Sequence, residues 1–253
     1  MQKAQEEQKM SDAMKVIYIC FPEGKHKVLT MSYDDGKLAD RRLVSIFNHY
    51  GIKGTFHLNS GMHGPERIPS EEWKALYEGH EMSCHTVTHP TIARSPVEQV
   101  AVQVLEDRRY IERIAGYPVR GLSYPNGSYN REIIELLPKL GIEYSRIVGN
   151  TDDFSMPENY LAWEATCHHN HNLIENGKRF LELKKTQYMY MMYVWGHSYE
   201  FDRDNNWELM EEFCEMMSGQ EDIWYATNIQ IVDYMKAAKN LRFTLDGDLV
   251  YNP

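Results

Sequence analysis

Short apolar runs alternate with longer amphipathic ones along the chain, from residue 27 to residue 239. Length and the turn residues between the runs separate strands from helices. "HKVLTMSY" reads as a buried strand, and "LADRRLVSIFNHYG" as an amphipathic helix closed by Gly51 at the C′ position. "GTFHLN" and "HEMSC" are the next strands, with a short helix "SEEWKALYEG", capped by Ser70, between them. "SPVEQVAVQVLEDRRYIERIAG" is the clearest helix, with Ser95 expected as N-cap, Pro96 at the first helical position, Glu98 completing a capping box and Gly116 ending it. Strand "VRGLSY", helix "REIIELLPKLG", strand "EYSRIV" and helix "NLIENGKRFLELKK" follow. The order then runs through strand "QYMYMMYVW", helix "NWELMEEFCEMMS", strand "DIWYA" and helix "IQIVDYMKAAK".

Repeated strand–helix units with short connections predict one α/β domain with a parallel sheet. About seven such units fit a closed or nearly closed, TIM-like (β/α) barrel better than an open sheet. The barrel is expected over 27–253, after a polar N-terminal extension 1–26, and ends in a small hairpin, "LRFTLDGDLVY", around Asp246-Gly247. Residues 149–172, "GNTDDFSMPENYLAWEATCHHNHN", take no assignment. A polar loop of that length inside a compact domain is more often functional than idle.

Composition narrows the partners. The 253 residues are 42% hydrophobic, enough for one sizeable core, and the net charge of -10 argues against nucleic acid or an anionic membrane. Cys20, Cys84, Cys167 and Cys214 are scattered without a C-x-x-C pair, which reads as reduced thiols. The start "MQKAQEEQKMSDAMK" lacks the apolar core of a signal peptide, and no apolar run approaches a membrane span. A cytoplasmic protein is the expectation, of undetermined oligomeric state.

The candidate chemistry lies at strand ends. "YDDG" puts Asp34 and Asp35 side by side after the first strand, which by itself is ordinary turn chemistry. "HTVTHP" sets His85 and His89 four apart after the third strand, a spacing that can aim two imidazoles at one ion. "YVWGHSYEF" places His197 beyond an apolar strand. In an α/β barrel all these strand ends share the face that carries active sites. His168, His169 and His171 either join the pocket or lie on an exposed loop, and neither His57 nor His63 has an identifiable partner in the sequence.

Taken in order, "SYDDG", "HTVTH" and "WGHSYEF" resemble the polysaccharide deacetylase family (NodB-homology domain, carbohydrate esterase family 4). "GTFHLNSGM", "GHEMSCHTVTHP" and "WYATNIQIVDY" extend the likeness over nearly the whole chain. The resemblance implies an irregular, incomplete (β/α) barrel and one divalent metal ion held by Asp35, His85 and His89; two nitrogens and one oxygen suit zinc first, with cobalt, nickel or manganese able to serve. It implies Asp34 as the base acting on metal-activated water and His197 as the acid, removing an acetyl group from a sugar or glycoconjugate. Tyr124, Pro125 and Trp195 are the expected substrate-facing residues, with a backbone N–H near Tyr124 for the oxyanion. The family's third motif carries an arginine where this chain has Ser123. Strand alternation turns Arg120 away, so Arg146, at the end of the next strand, is expected to reach Asp34 instead. Two other readings stay open: an amidohydrolase for a small cyclic amide or ureide, and a non-catalytic carbohydrate-binding relative.

Overall fold

In the computed structural model, residues 16–253 are described. The polar stretch 1–15 lies outside them. Seven parallel strands form a curled half-barrel with helices outside it. They are β1 (Lys27–Asp34), β2 (Gly54–Leu58), β3 (Glu81–Cys84), β4 (Gly121–Ser123), β5 (Tyr144–Arg146), β6 (Cys167–His168) and β7 (Tyr190–Gly196), in the order β5-β4-β3-β2-β1-β7-β6. Strand β7 takes one edge of β1 along most of its length. The other edge is shared: β8 (Ile223–Tyr225) pairs with Lys27 to Leu29 at the base, and β2 pairs with Met31 to Asp34 at the mouth.

The helices are α1 (Asp40–Tyr50), α2 (Trp73–Leu76), α3 (Val97–Ala115), α4 (Arg131–Leu136), α5 (Leu173–Glu182), α6 (Tyr199–Asp204), α7 (Trp207–Met217) and α8 (Asn228–Asn240). Gly51 and Gly116 end α1 and α3 in the left-handed conformation, as the sequence predicts. The expected caps at Ser70 and Ser95 are corrected. A 3-10 turn, Ser70–Glu72, precedes α2 with Pro69 as its N-cap. Another, Ile92–Arg94, runs into α3 and binds the Ser95 N–H, leaving extended Pro96 as the N-cap with no side-chain cap.

The unassigned stretch holds β6 and closes the curl. Trp163 bridges to Arg146 of β5, while Cys167 and His168 pair with β7, so the segment spans the gap between those two strands. Ahead of Lys27, Phe21 is buried at the base, 5.6 Å from the Trp224 ring and 6.4 Å from that of Tyr234. The terminal hairpin pairs Phe243 with Val250 and is exposed.

Strand alternation divides two interiors. Leu29, Met31, Tyr33, Phe56, Leu58, Met82, Cys84, Leu122, Met192 and Val194 pack outward under the helices in one large apolar core. The alternate residues face the lumen, and many are polar: Thr30, Ser32, Asp34, Thr55, His57, Glu81, Ser83, Ser123 and Arg146 are all buried. Hydrogen bonds make this burial tolerable. Glu81 accepts from Tyr144 Oη at 2.6 Å, Thr55 Oγ1 at 3.0 Å and the Ile229 N–H at 2.9 Å. Gly121 makes room for this network, since a Cβ there would lie 2.1 Å from the Tyr144 ring.

Candidate active site

At the mouth, β1 ends in Asp34 and the chain turns at Asp35, whose N–H donates to His57 O at 2.9 Å. His85 leaves β3 with its N–H shared between Leu58 O at 2.9 Å and Asp107 Oδ2 at 3.0 Å. Asp107 also accepts from the Ser60 N–H at 2.8 Å, so one buried carboxylate pins both loops. Burial pushes its pKa up to about 7, against those hydrogen bonds. This residue escapes motif reading, yet it stands in the Val100, Val104, Asp107, Ile111 stripe, an acid among apolar residues on the inward face of α3.

One ligand atom each from Asp35, His85 and His89 lies within 4.8 Å of the others. Asp35, Thr86 and His89 have φ of 84°, 66° and 56°, a region costly for residues other than glycine. The surrounding bonds hold this turn. Asn59 Nδ2 donates to His85 O at 2.7 Å and Thr86 O at 2.9 Å, and Arg67 donates to Asp35 O. The His85 Nδ1–H donates to Ser123 O at 2.8 Å, which leaves Nε2 with its lone pair free toward the cluster. Burial keeps this imidazole on the neutral side, although Asp34 and Asp35 pull the other way. Two imidazoles and a carboxylate fit a zinc-like divalent ion with open positions.

Asp34 sits beside this cluster, its Oδ2 3.8 Å from His85 Nε2, and has different partners. Arg146 pairs directly with Asp34 Oδ2, and Ser123 Oγ donates to Oδ1 at 3.0 Å. Burial alone would raise the Asp34 pKa; the Arg146 charge, then His85, His57 and His197, outweigh it and hold the carboxyl well below its usual range. Arg146 is itself fixed. Its Nε–H donates to Ser32 Oγ at 3.2 Å, Ser32 Oγ lies 2.9 Å from His57 Nε2, and the guanidinium stands 4.5 Å over the Trp195 ring. His57 Nδ1 faces Cys84 O at 3.3 Å, so His57 has partners after all, and burial lowers its pKa to about 3. Arg120 points outward to Asp233, 2.7 and 2.6 Å away, and to Glu143 at 3.2 Å.

His197 follows β7 with Nδ1 3.5 Å from Glu200 Oε2. Burial alone would lower its pKa, but Glu200, Asp34 and Asp35 together raise it. Sequence reading missed Glu200, although its place three residues after His197 on the first turn of α6 was available as a signal. Trp195 walls the site, with Nε1 donating to Gly149 O at 2.9 Å. The Tyr124 N–H donates to Arg146 O at 3.0 Å, so it is not itself free to serve as the oxyanion donor expected near this residue. The Tyr124 side chain is buried with Oη donating to Leu161 O, and Pro125 is buried too. His63 is exposed, and His171 pairs with Asp152 at 2.9 Å.

A family model described as polysaccharide deacetylase matches residues 15–145. The chain is 26% identical over 116 residues to a peptidoglycan-N-acetylglucosamine deacetylase of Bacillus cereus, covering 45% of this chain and 40% of that protein. It is 26% identical over 127 residues to a chitooligosaccharide deacetylase of Azorhizobium caulinodans, covering 50% of this chain and 55% of that one. The matches thus span about half or less of these relatives' own length. A solved structure from Mycobacterium smegmatis, described as a polysaccharide deacetylase, superposes with a TM-score of 0.68 at 16% identity, over 89% of this chain and 96% of that chain. Among the described residues no helix is long and apolar enough to cross a membrane.

Proposed function

This chain belongs to the polysaccharide deacetylase family, and on that premise we propose that it is a metal-dependent hydrolase that removes an acetyl group from an acetylated sugar or glycan. The observation that carries the reading is the pairing of two carboxylates with separate work. Asp35 converges with His85 and His89, while Asp34 is held apart by Arg146 and Ser123. The B. cereus and A. caulinodans relatives, named for deacetylation of N-acetylated sugars, support the choice of bond.

Asp35, His85 and His89 would hold one divalent ion, zinc by donor type, with cobalt, nickel or manganese as substitutes. When bound, such an ion supplies Lewis acidity toward an acyl oxygen and lowers the pKa of water. The chain's own residues do the rest. Asp34 stays ionised because Arg146 faces it, and it takes the proton of the attacking water. His197, its pKa raised, gives a proton to the leaving nitrogen or oxygen. Trp195 and Arg146 form one wall around the acyl group.

Purified protein loaded with zinc or cobalt should release acetate from N-acetylated chitooligosaccharides or from peptidoglycan fragments. Wild type and Asp34→Asn showing the same acetate release would reject the assignment.

A further inference from the structure

A second group of metal-type donors lies behind His197. His168 at the end of β6 and His169 next to it face Glu200 on the first turn of α6. His168 Nε2 is 2.9 Å from Glu200 Oε2, and His169 Nε2 is 3.4 Å from the same oxygen. One ligand atom from each of the three lies within 4.8 Å of the others. His197 Nδ1 approaches that oxygen to 3.5 Å from a third side.

His169 is the most informative member. It is 0% exposed, stacked 4.1 Å from the Phe201 ring and 5.8 Å from that of Tyr33. Among the described residues, both of its ring nitrogens are buried without a hydrogen bond, and so is His197 Nδ1. Buried polar atoms left unpaired are costly and call for a partner. The fold also makes space for this ring: a Cβ on Gly196 would lie 2.0 Å from His169 Nδ1. A glycine is therefore required at the end of β7 for the imidazole to sit where it does.

We propose that His168, His169 and Glu200 form a second binding site for a divalent transition-metal ion, with His197 Nδ1 at its edge. Two imidazoles and one carboxylate suit zinc, cobalt or nickel rather than calcium or magnesium. Donor separations of 2.9 and 3.4 Å are edges that four-coordinate bonds of about 2.0–2.2 Å span. One local adjustment is needed. The Asn170 N–H donates to His168 Nδ1 at 3.1 Å, so His168 Nε2 carries the proton in the ion-free form. Ion binding moves that proton to Nδ1 and opens the contact, and Asn170 is exposed, where water takes its N–H. The ion would tie the β6 loop to α6, two segments on the rim of the candidate active site. This site is independent of the Asp35–His85–His89 cluster.

Cobalt(II) titration of the whole chain, purified without chelator and stripped, tests this by absorbance and by metal analysis. Wild type should bind about two equivalents, and the His85→Ala/His89→Ala variant about one, with visible bands from imidazole-bound cobalt. Glu200→Gln and His168→Ala, made separately, should each lower wild-type binding to about one equivalent while the cluster at His85 stays filled. The melting temperature of the His85→Ala/His89→Ala variant should still rise with added cobalt. Wild type binding about one equivalent, lost in His85→Ala/His89→Ala and unaffected by Glu200→Gln, would overturn the second site and leave the first standing. One equivalent lost only in Glu200→Gln would instead support the second site and reject the first.

Discussion

Arg146 and Asp34, 112 positions apart in sequence, meet as a buried ion pair across the barrel mouth. Arg146 has a relative exposure of 1% and Asp34 of 3%, so neither charge has water to fall back on. Removing one partner leaves the other buried and uncompensated, which typically costs about 3–5 kcal/mol. Arg146→Met should therefore lower both stability and hydrolysis. Arg146→Lys should recover part of the stability and little of the rate, because an ammonium cannot bond Ser32 and Asp34 with one planar fork. Chemical denaturation and acetate-release rates on the two variants measure the split.

Adjacent aspartates should separate cleanly. Asp34→Asn should keep the ion of the first cluster and lose roughly 10²-fold or more in kcat, as expected for removal of a general base. Asp35→Asn should weaken that ion instead. Calorimetric titration beside kinetics checks both, and equal loss of metal in the two variants would contradict the division.

His197 should matter in proportion to how much the leaving group needs a proton. His197→Ala should slow N-acetyl hydrolysis by about 10²-fold or more while changing release from an activated aryl acetate far less. Equal losses on both substrates would place the acid elsewhere.

Glu81 offers a test of the polar lumen. Burial raises its pKa to about 7 in the fold, against Tyr144, Ile229, Thr55 and Thr227, which lower it. A carboxyl whose folded pKa exceeds its unfolded one contributes stability at low pH, lost as pH rises through the folded value. Between about pH 4.5 and 7 this group alone makes stability fall as pH rises. Glu81→Gln should flatten part of that slope in denaturant melts taken across the range; an unchanged slope would put the dependence on Asp40 and Asp107, which titrate in the same direction.

Much of the fold was legible because it is written locally. Apolar runs and helix periods marked β1 to β5, β7 and β8, and Gly51 and Gly116 ended helices where only a left-handed residue fits. Asp34, Asp35, His85 and His197 could be placed at strand ends from their own neighbours, and parallel strands then share that face. The two-residue β6 was invisible, since so short a strand has no periodicity of its own. Ser95 looked like a cap because the competing 3-10 turn before it left no mark in composition.

What the tertiary structure decided is how the side chains are paired. Alternation puts Arg146 on the lumen side and Arg120 outside, but only the curl of the sheet brings β5 within reach of β1. The same curl gives His57 its serine, spends the Tyr124 N–H on a strand partner, and sets His168 and His169 against Glu200 from beyond β7. Local sequence determines which residues stand at the ends of strands. Which of those residues hold one another is set by contacts between distant segments, because buried charge and hydrogen-bond donors are satisfied by whatever the curled sheet places beside them.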